Sequence, residues 1–290
     1  MFESRESKEL ATLLQQHWLA ILEAVWVAFD NSIVGCRGEV AFFRSLVNQL
    51  SARLDGLRIP GASFNCRHTE IHQKPIVSGS FGSCELGDLL VVVKYHLLDF
   101  SVEAKSIIYQ VKMSEGGSRK CSIDQKQLTL LREWPPFEFG RRRDGGPQSY
   151  DIQPKTIEFG SYMLEPRNAE RGEALRYWTP YWWHHFPVVG SYGFCPTALQ
   201  CYNEGPKKID LDESRDFLPD VESVLRQILF DRGEHHSNPS VARLIGALYR
   251  YIGLDPDPPA EFEGFSEGRE EDGFSILEVN IKQGERGSNA

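Results

Sequence analysis

Residues 85–112 read ELGDLLVVVKYHLLDFSVEAKSIIYQVK, and the fold of the chain can be worked out from this stretch. Residues 88–95 include a continuous apolar run, which is typical of a strand buried on both faces. Residues 105–113 are rich in strand-forming side chains. The connection at about 96–104 is long enough for the two strands to pair as an antiparallel hairpin. We therefore expect these two strands to be neighbours in a sheet.

Polar residues stand at one end of the predicted hairpin. Asp88 opens the first strand, and Gln110 and Lys112 close the second, so pairing would bring them together. Gln110 and Lys112 share a face because side chains alternate along a strand. The Asp88 carboxylate, the Gln110 amide oxygen and the Val111 carbonyl are the oxygen ligands that Mg²⁺ prefers. The Lys112 ammonium can stabilise charge on a phosphate, so the sequence predicts a metal site for phosphodiester chemistry.

Further elements are predicted on both sides of the hairpin. They are helices at 7–30, 38–56 and 122–134, and extended segments at 69–78 and 155–163. Ser122 is the predicted N-cap of the third helix. From residue 38 the order is helix, strand, strand, strand, helix, strand. This order predicts an α/β fold with a mixed sheet between helices.

The second half of the chain carries fewer signals. Two helices fit residues 217–230 and 238–252, and the apolar run Phe274–Ile281 fits a last strand or a docking segment. Residues 254–278 hold nine acids and one base, so most of the net charge of −9 lies there. The predicted division is a core with an N-terminal helix at 1–165, an α+β elaboration of the same domain at 166–253, and an acidic linker or tail at 254–290.

The composition predicts a globular protein of the cytoplasm. Hydrophobic residues make up 41% of the chain and charged residues 25%, which are ordinary globular values. No run of 18 apolar residues exists, and the charged N-terminus lacks the apolar region of a signal peptide, so neither a membrane span nor secretion is expected. The six cysteines include no C-x-x-C pair of a zinc site and are expected to be reduced.

Taken together, these features resemble the PD-(D/E)xK nuclease superfamily in its Q-x-K form. The similarity lies in Glu85-Leu86-Gly87-Asp88, the later Gln110-Val111-Lys112, and the αβββαβ order of residues 38–163, which is similar to the restriction-endonuclease-like core. The resemblance implies that Asp88 and Gln110 bind Mg²⁺ or Mn²⁺ and that Lys112 assists attack on the phosphodiester. The chain has Gly87 where proline is frequent, and Gln110 removes one negative charge from the usual metal site.

The resemblance also implies residues outside the hairpin. Many members use a glutamate from the preceding helix, for which Glu39 is the candidate, and RecB-like members carry a glutamine on the following helix, for which Gln127 or Gln125 is the candidate. The implied substrate is DNA, and the implied context is bacterial anti-phage defence or restriction. A protein partner such as a sensor, ATPase or helicase, or a second copy of the chain, is expected. The candidate DNA contacts are Arg119, Lys120, Lys126, Arg141, Arg142 and Arg143.

Two alternatives accompany the prediction of a nuclease. A catalytically weak or inactive nuclease fold could bind nucleic acid or a protein partner, and the acidic tail and Gln110 are compatible with that role. The turn at 78–83 is similar to the phosphate-binding loop of nucleotidyltransferases. That chemistry needs two carboxylates at D-x-D spacing, and Asp88 is followed by two leucines, so the sequence disfavours it.

Overall fold

The computed structural model of the protein describes residues 4–33, 39–71, 75–114, 120–139, 148–153, 159–165, 176–178, 208–210, 229, 234–251 and 274–284. These residues form a mixed sheet of eight strands, two smaller sheets and packed helices. The predicted α/β class and the mixed sheet between helices are therefore confirmed. Within the described ranges, no helix is long and apolar enough to cross a bilayer.

The helices are α1 (Arg5–Gln16), α2 (Trp18–Ile33), α3 (Glu39–Leu54), α4 (Gln125–Glu133) and α5 (Pro239–Tyr251). The strands of the first half are β1 (Arg58–Ile59), β2 (Ala62–Ile71), β3 (Ile76–Gly79), β4 (Gly82–Glu85), β5 (Leu89–His96), β6 (Val102–Met113) and β7 (Lys120–Ser122). The remaining strands are β8 (Phe137–Phe139), β9 (Gln148–Tyr150), β10 (Gly160–Glu165), β11 (Arg176–Trp178), β12 (Lys208–Asp210), β13 (Glu234–His235) and β14 (Phe274–Gln283).

The main sheet has the strand order β1-β2-β14-β5-β6-β10-β11, and β13 also pairs with β6. The predicted hairpin is confirmed, because β5 and β6 are antiparallel with Leu89 opposite Tyr109 and His96 opposite Val102. Strand β10 follows α4 and lies parallel to β6, with Tyr162 opposite Gln110. Along the chain, α3, β2, β5, β6, α4 and β10 occur in this order, with β3, β4 and β7–β9 of the two smaller sheets inserted between them.

The C-terminal apolar run forms a central strand of the main sheet. Strand β14 pairs antiparallel with β2 over ten residues and parallel with β5 over eight. Its residues therefore separate β2 from β5, which the sequence order alone would place side by side. The core predicted for residues 1–165 is completed by a strand from the end of the chain.

Alternation along β5 directs side chains into two hydrophobic cores. Leu89 and Val91 face α1, α2 and α3, whereas Leu90 and Val92 face the core that contains α4 and α5. The first core includes Phe42 and Leu46 of α3. Both faces of the strand are therefore covered, which explains why its sequence is apolar without interruption.

Three predicted elements have different bounds in the structure. The predicted helix 7–30 is two helices, because the backbone leaves helical geometry at His17 (φ −108°, ψ 22°). The prediction of a single strand at 69–78 is wrong: residues 69–71 are the end of β2, which begins at Ala62 and pairs with β14, and Ile76–Gly79 pairs with β4 and β8 in another sheet. The predicted helix start at residue 122 is also wrong, since β7 contains that residue.

The N-cap of α4 is Asp124, not Ser122. The Asp124 carboxylate accepts hydrogen bonds from the backbone N–H groups of Lys126 at 2.7 Å and Gln127 at 3.3 Å. It therefore satisfies two of the N–H groups that a helix start leaves without partners. Ser122 instead pairs with Lys208 of β12.

Of the remaining predicted elements, two are present in the structure and the others lie largely outside the described residues. The helix predicted at 238–252 is α5, and the strand predicted at 155–163 is β10, which begins at Gly160. Residues 154–158 lie outside the described residues, as do the acidic residues 254–272. The predicted helix 217–230 also lies outside them, except for residue 229.

A polar cluster joins β14 to its neighbours. Lys94 Nζ lies 2.9 Å from the Glu278 carboxylate, and the Tyr249 hydroxyl donates to the same oxygen. Burial raises the pKa of Glu278, but the hydrogen bonds from Lys94 and Tyr249 and the positive charges of Lys94 and Arg67 together outweigh it. The pKa of Glu278 therefore lies below its ordinary value of 4.5.

We expect Glu278→Gln to lower the Tm at neutral pH by roughly 2–4 °C, the shift that about 1 kcal/mol produces in a large domain. A carboxyl whose pKa is lowered by folding stabilises the protein above its unfolded pKa, and this contribution is lost as the pH falls through the folded pKa. The Tm difference between wild type and variant should therefore shrink below pH 4.5. Thermal melts over a pH series measure it, and a difference that does not change with pH would contradict the assignment.

Candidate metal centre

Asp88 lies at the end of the main sheet, between β14 and β6. Its N–H donates to the Tyr109 carbonyl at 2.9 Å, and its carbonyl accepts from the Ser275 N–H at 2.9 Å. The backbone is thus held from both sides, and the side chain is only 5% exposed. The position of this carboxylate depends on strands from both ends of the chain.

Gly87 allows the backbone before Asp88 to approach β6 closely. A Cβ atom at this position would lie 2.6 Å from Ile108 Cγ2 and 3.0 Å from the Tyr109 carbonyl oxygen. Such contacts require a shift of the strand, so a residue with a side chain does not fit here without one. Close packing against β6 therefore explains why glycine stands at this position, where the superfamily that the sequence resembles frequently has proline.

Gln110 is fully buried and contacts Asp88 directly. The Gln110 side-chain NH₂ donates to Asp88 Oδ2, and the Val111 N–H donates to the same oxygen at 2.8 Å. The Gln110 NH₂ also lies 3.3 Å from the Val111 carbonyl. The predicted proximity of Asp88 and Gln110 is thus present, with Gln110 acting as a hydrogen-bond donor to the carboxylate.

Gln127 reaches the same group from the first turn of α4. It is 3% exposed, and its NH₂ donates to Gln110 Oε1 and, at 3.1 Å, to the Glu85 backbone carbonyl. The structure therefore brings together four of the predicted residues, Asp88, Gln110, Val111 and Gln127. Gln125 lies on the same helix and is half-buried.

Lys112 follows two residues after Gln110 on β6 and lies on the same face of the strand. Its side chain is half-buried, whereas Gln110 is fully buried. The lysine is thus placed toward the outer side of the buried pair. This position is compatible with a contact to a bound anion.

Tyr162 is a member of the site that the sequence did not identify. It lies opposite Gln110 on β10 and is fully buried. Burial raises its pKa well above the ordinary value, and the nearby charges of Asp124 and Asp88 raise it further. The phenol therefore stays neutral. Its strand was predicted, but its pairing with β6 depends on the crossover through α4, which no local pattern specifies.

The other predicted site residues are only partly described. Glu39 is the first residue of α3, which packs on the face of the sheet opposite α4, and its side chain lies outside the described part. Lys126 is exposed in the first turn of α4. Lys120 lies in β7 without a described side chain, and Arg119 and Arg141, Arg142 and Arg143 are outside the described residues. Their predicted roles stay predictions.

Oxygen atoms that suit a hard cation meet at Asp88. The Gln110 NH₂ group lies between Asp88 Oδ2 and the Val111 carbonyl, so two acceptor oxygens point at one place. The Gln110 oxygen would join them if the amide turned over. Across the described ranges, no group of three or more His, Cys, Asp and Glu side chains could hold a metal ion. The oxygens at this place are one carboxylate and two neutral carbonyl-type oxygens, which are of the kind that Mg²⁺ or Mn²⁺ prefers.

Comparisons of the chain with protein-family models, with curated proteins and with solved structures each gave no match.

Proposed function

We propose that the protein is a Mg²⁺- or Mn²⁺-dependent nuclease that hydrolyses phosphodiester bonds in DNA, with a restriction-endonuclease-like core. The observation that carries the proposal is the convergence of the Asp88 carboxylate, the Gln110 amide and the Val111 carbonyl at one end of the β5–β6 hairpin. Lys112 lies on the same face of β6 as Gln110. This is the set of groups that the Q-x-K form of the resembling superfamily requires.

Each residue has a role in the proposed reaction. Asp88, Gln110 and Val111 would hold the divalent ion, which supplies Lewis-acid activation of water and phosphate when bound. Lys112 stabilises the negative charge that grows on the attacked phosphate. Tyr162 is a neutral donor next to Gln110, and Gln127 orients the Gln110 amide. Lys126 lies at the edge of this group and can contact the DNA backbone.

The cellular role proposed here follows from the resemblance. It is an effector of bacterial anti-phage defence or restriction in the cytoplasm, working with a sensor, ATPase or helicase or as a homo-oligomer. The acidic segment at 254–278 would limit non-specific attraction to DNA, because it carries most of the negative charge of the chain.

The test is cleavage of supercoiled plasmid, single-stranded DNA and RNA by the full-length protein with Mg²⁺, with Mn²⁺ and with a chelator. We expect nicking of plasmid with either ion and none with the chelator. If no substrate is cut with either ion, the enzyme proposal is contradicted.

A second function is favoured by one observation. The Gln110 side chain presents its NH₂ group to Asp88, and its oxygen is bonded to Gln127. This arrangement satisfies the carboxylate without a cation. It would suit an inactive nuclease fold that binds nucleic acid or a protein partner, and such a protein would cut nothing in the assay above.

Lys112→Met should reduce cleavage by about 100-fold or more, because an electrostatic group at the reacting phosphate contributes on that order. Its stability and its Tm shift with Mn²⁺ should stay close to wild type, since the half-buried side chain does not supply a metal ligand. Lys282→Met, at an exposed position near the opposite end of β14, is the matched control and should cut normally. Equal cleavage by wild type and Lys112→Met would show that Lys112 has no part in the reaction.

A further inference from the structure

The buried side-chain amides of the site form a series of hydrogen bonds with an acceptor at each end. It runs from the Glu85 backbone carbonyl through Gln127 and Gln110 to Asp88 Oδ2. A backbone carbonyl can accept hydrogen bonds but cannot donate them, and the same holds for an ionised carboxylate. Each end of this series of hydrogen bonds therefore needs a donor. The two amides between the ends must each direct an N–H group toward the end that they contact.

The orientation of Gln127 follows from the carbonyl of Glu85. The Gln127 NH₂ has two hydrogens, and one of them is donated to that carbonyl at 3.1 Å. The other is donated to Gln110 Oε1. Gln110 consequently has its oxygen on the α4 side and its NH₂ group toward Asp88, where a cation ligand would need the oxygen instead.

Turning the Gln110 amide alone would place two NH₂ groups against each other. Both groups are donors and both side chains are buried, so the hydrogen bond between them would be lost and two donors would face each other. Gln110 can therefore offer its oxygen to a cation only if Gln127 turns as well and gives up the Glu85 carbonyl. The two amides must reorient together.

We propose that Gln127 is a positioning residue that sets the affinity of the site for divalent metal by holding Gln110 in the orientation that excludes it. This inference rests on the proposed metal site and adds its regulation. The site then favours a cation-free form, in which Asp88 is satisfied by the Gln110 NH₂ and the Val111 N–H. Metal binding is weakened by the hydrogen bonds that the reorientation breaks.

The inference predicts that removing Gln127 strengthens metal binding. A residue that merely supports a metal ligand would give the opposite result, weaker binding on removal. Gln127→Met removes the donor and frees Gln110 to turn. We expect the Kd for Mn²⁺ to fall about fivefold to tenfold, which is the effect of about one hydrogen bond. Gln127→Glu should lower the Kd further, because a carboxylate accepts from Gln110 and so directs its oxygen toward Asp88.

The experiment is calorimetric titration of the full-length protein with Mn²⁺, checked by the Tm with and without the ion. Gln15→Met is the matched control, because it makes the same change at an exposed helical position in α1, on the other face of the sheet, and it should leave the Kd unchanged. An unchanged or higher Kd in Gln127→Met overturns the inference while leaving the metal site in place. Absence of Mn²⁺ binding in wild type and in every variant contradicts the proposed function and the inference with it.

A measurement on the wild-type protein tests the inference without relying on the folding of a variant. The side-chain NH₂ signals of Gln110 and Gln127 can be followed by NMR while Mg²⁺ is added. We expect both signals to shift together with the same midpoint. A shift of the Gln110 signal while the Gln127 signal stays in place would overturn the coupled reorientation.

Discussion

A chain that ends at residue 273 is expected to lose its cooperative fold. The removed strand, β14, lies between β2 and β5 and pairs with both. Without it, the facing N–H and C=O groups of those two strands have no partners within the sheet. Unpaired buried backbone groups are rare in native proteins because each costs as much as a lost hydrogen bond.

The hydrophobic contribution of the strand points to the same result. The apolar side chains of β14 are 4% exposed or less, and they are Phe274, Ile276, Leu277, Val279 and Ile281. Each contributes roughly 1.5–3 kcal/mol on burial, so the sum for the five is about 8–15 kcal/mol. Whole domains are stable by only about 5–15 kcal/mol. The truncated chain is therefore expected to melt without a cooperative transition.

Circular dichroism melts and hydrogen exchange measure this outcome. A chain that ends at residue 284 keeps all of β14 and is the matched control, which should melt as the full-length protein does. A synthetic peptide that covers β14 should restore a cooperative transition when it is added to the shorter chain. A truncated protein with the same Tm as the full-length chain would show that β14 is not needed for the sheet.

Asp88→Asn is expected to reduce cleavage by at least about 100-fold, because it removes the carboxylate to which Gln110 and Val111 donate at the centre of the site. The fold should be retained. The asparagine oxygen can take the place of Oδ2 and accept the same hydrogen bonds from Gln110 and Val111. The Tm in the presence of a chelator should thus stay near that of wild type, while the rise in Tm with Mn²⁺ disappears.

Asp99→Asn provides the control for this change. Asp99 is an exposed aspartate in the turn that joins β5 to β6, at the other end of the hairpin. Its substitution should leave both the cleavage rate and the Mn²⁺ effect unaltered. If Asp88→Asn cuts DNA as fast as wild type, the metal centre has been placed wrongly, whether or not the protein is a nuclease.

The two predictions are physically connected through Ser275. Its N–H donates to the Asp88 carbonyl, so β14 fixes the backbone of the residue that would bind the metal. Changes at the end of the chain can therefore alter the site without touching its side chains. This connection explains why the truncation and the Asp88 variant must be compared with separate readouts, folding for one and metal binding for the other.

The sequence by itself determined the β5–β6 hairpin and the meeting of Asp88 with Gln110. The two strands are consecutive and joined by a short connection, so their pairing and register follow from local pattern. Gln127 was named through the resemblance to RecB-like members, together with Gln125, and only the hydrogen bond to Gln110 selects it.

Only the tertiary structure decided where β14 lies, why Gly87 is needed and which atom of Gln110 faces Asp88. Strand β14 is distant in sequence from β2 and β5, and an apolar run of its length fits either a strand or a docking segment, so no local signal selects its neighbours. The fit at Gly87 depends on the distance to Ile108 across the sheet. The orientation of Gln110 is set by the Glu85 carbonyl through Gln127, a chain of hydrogen bonds that exists only once strand, helix and loop are packed together.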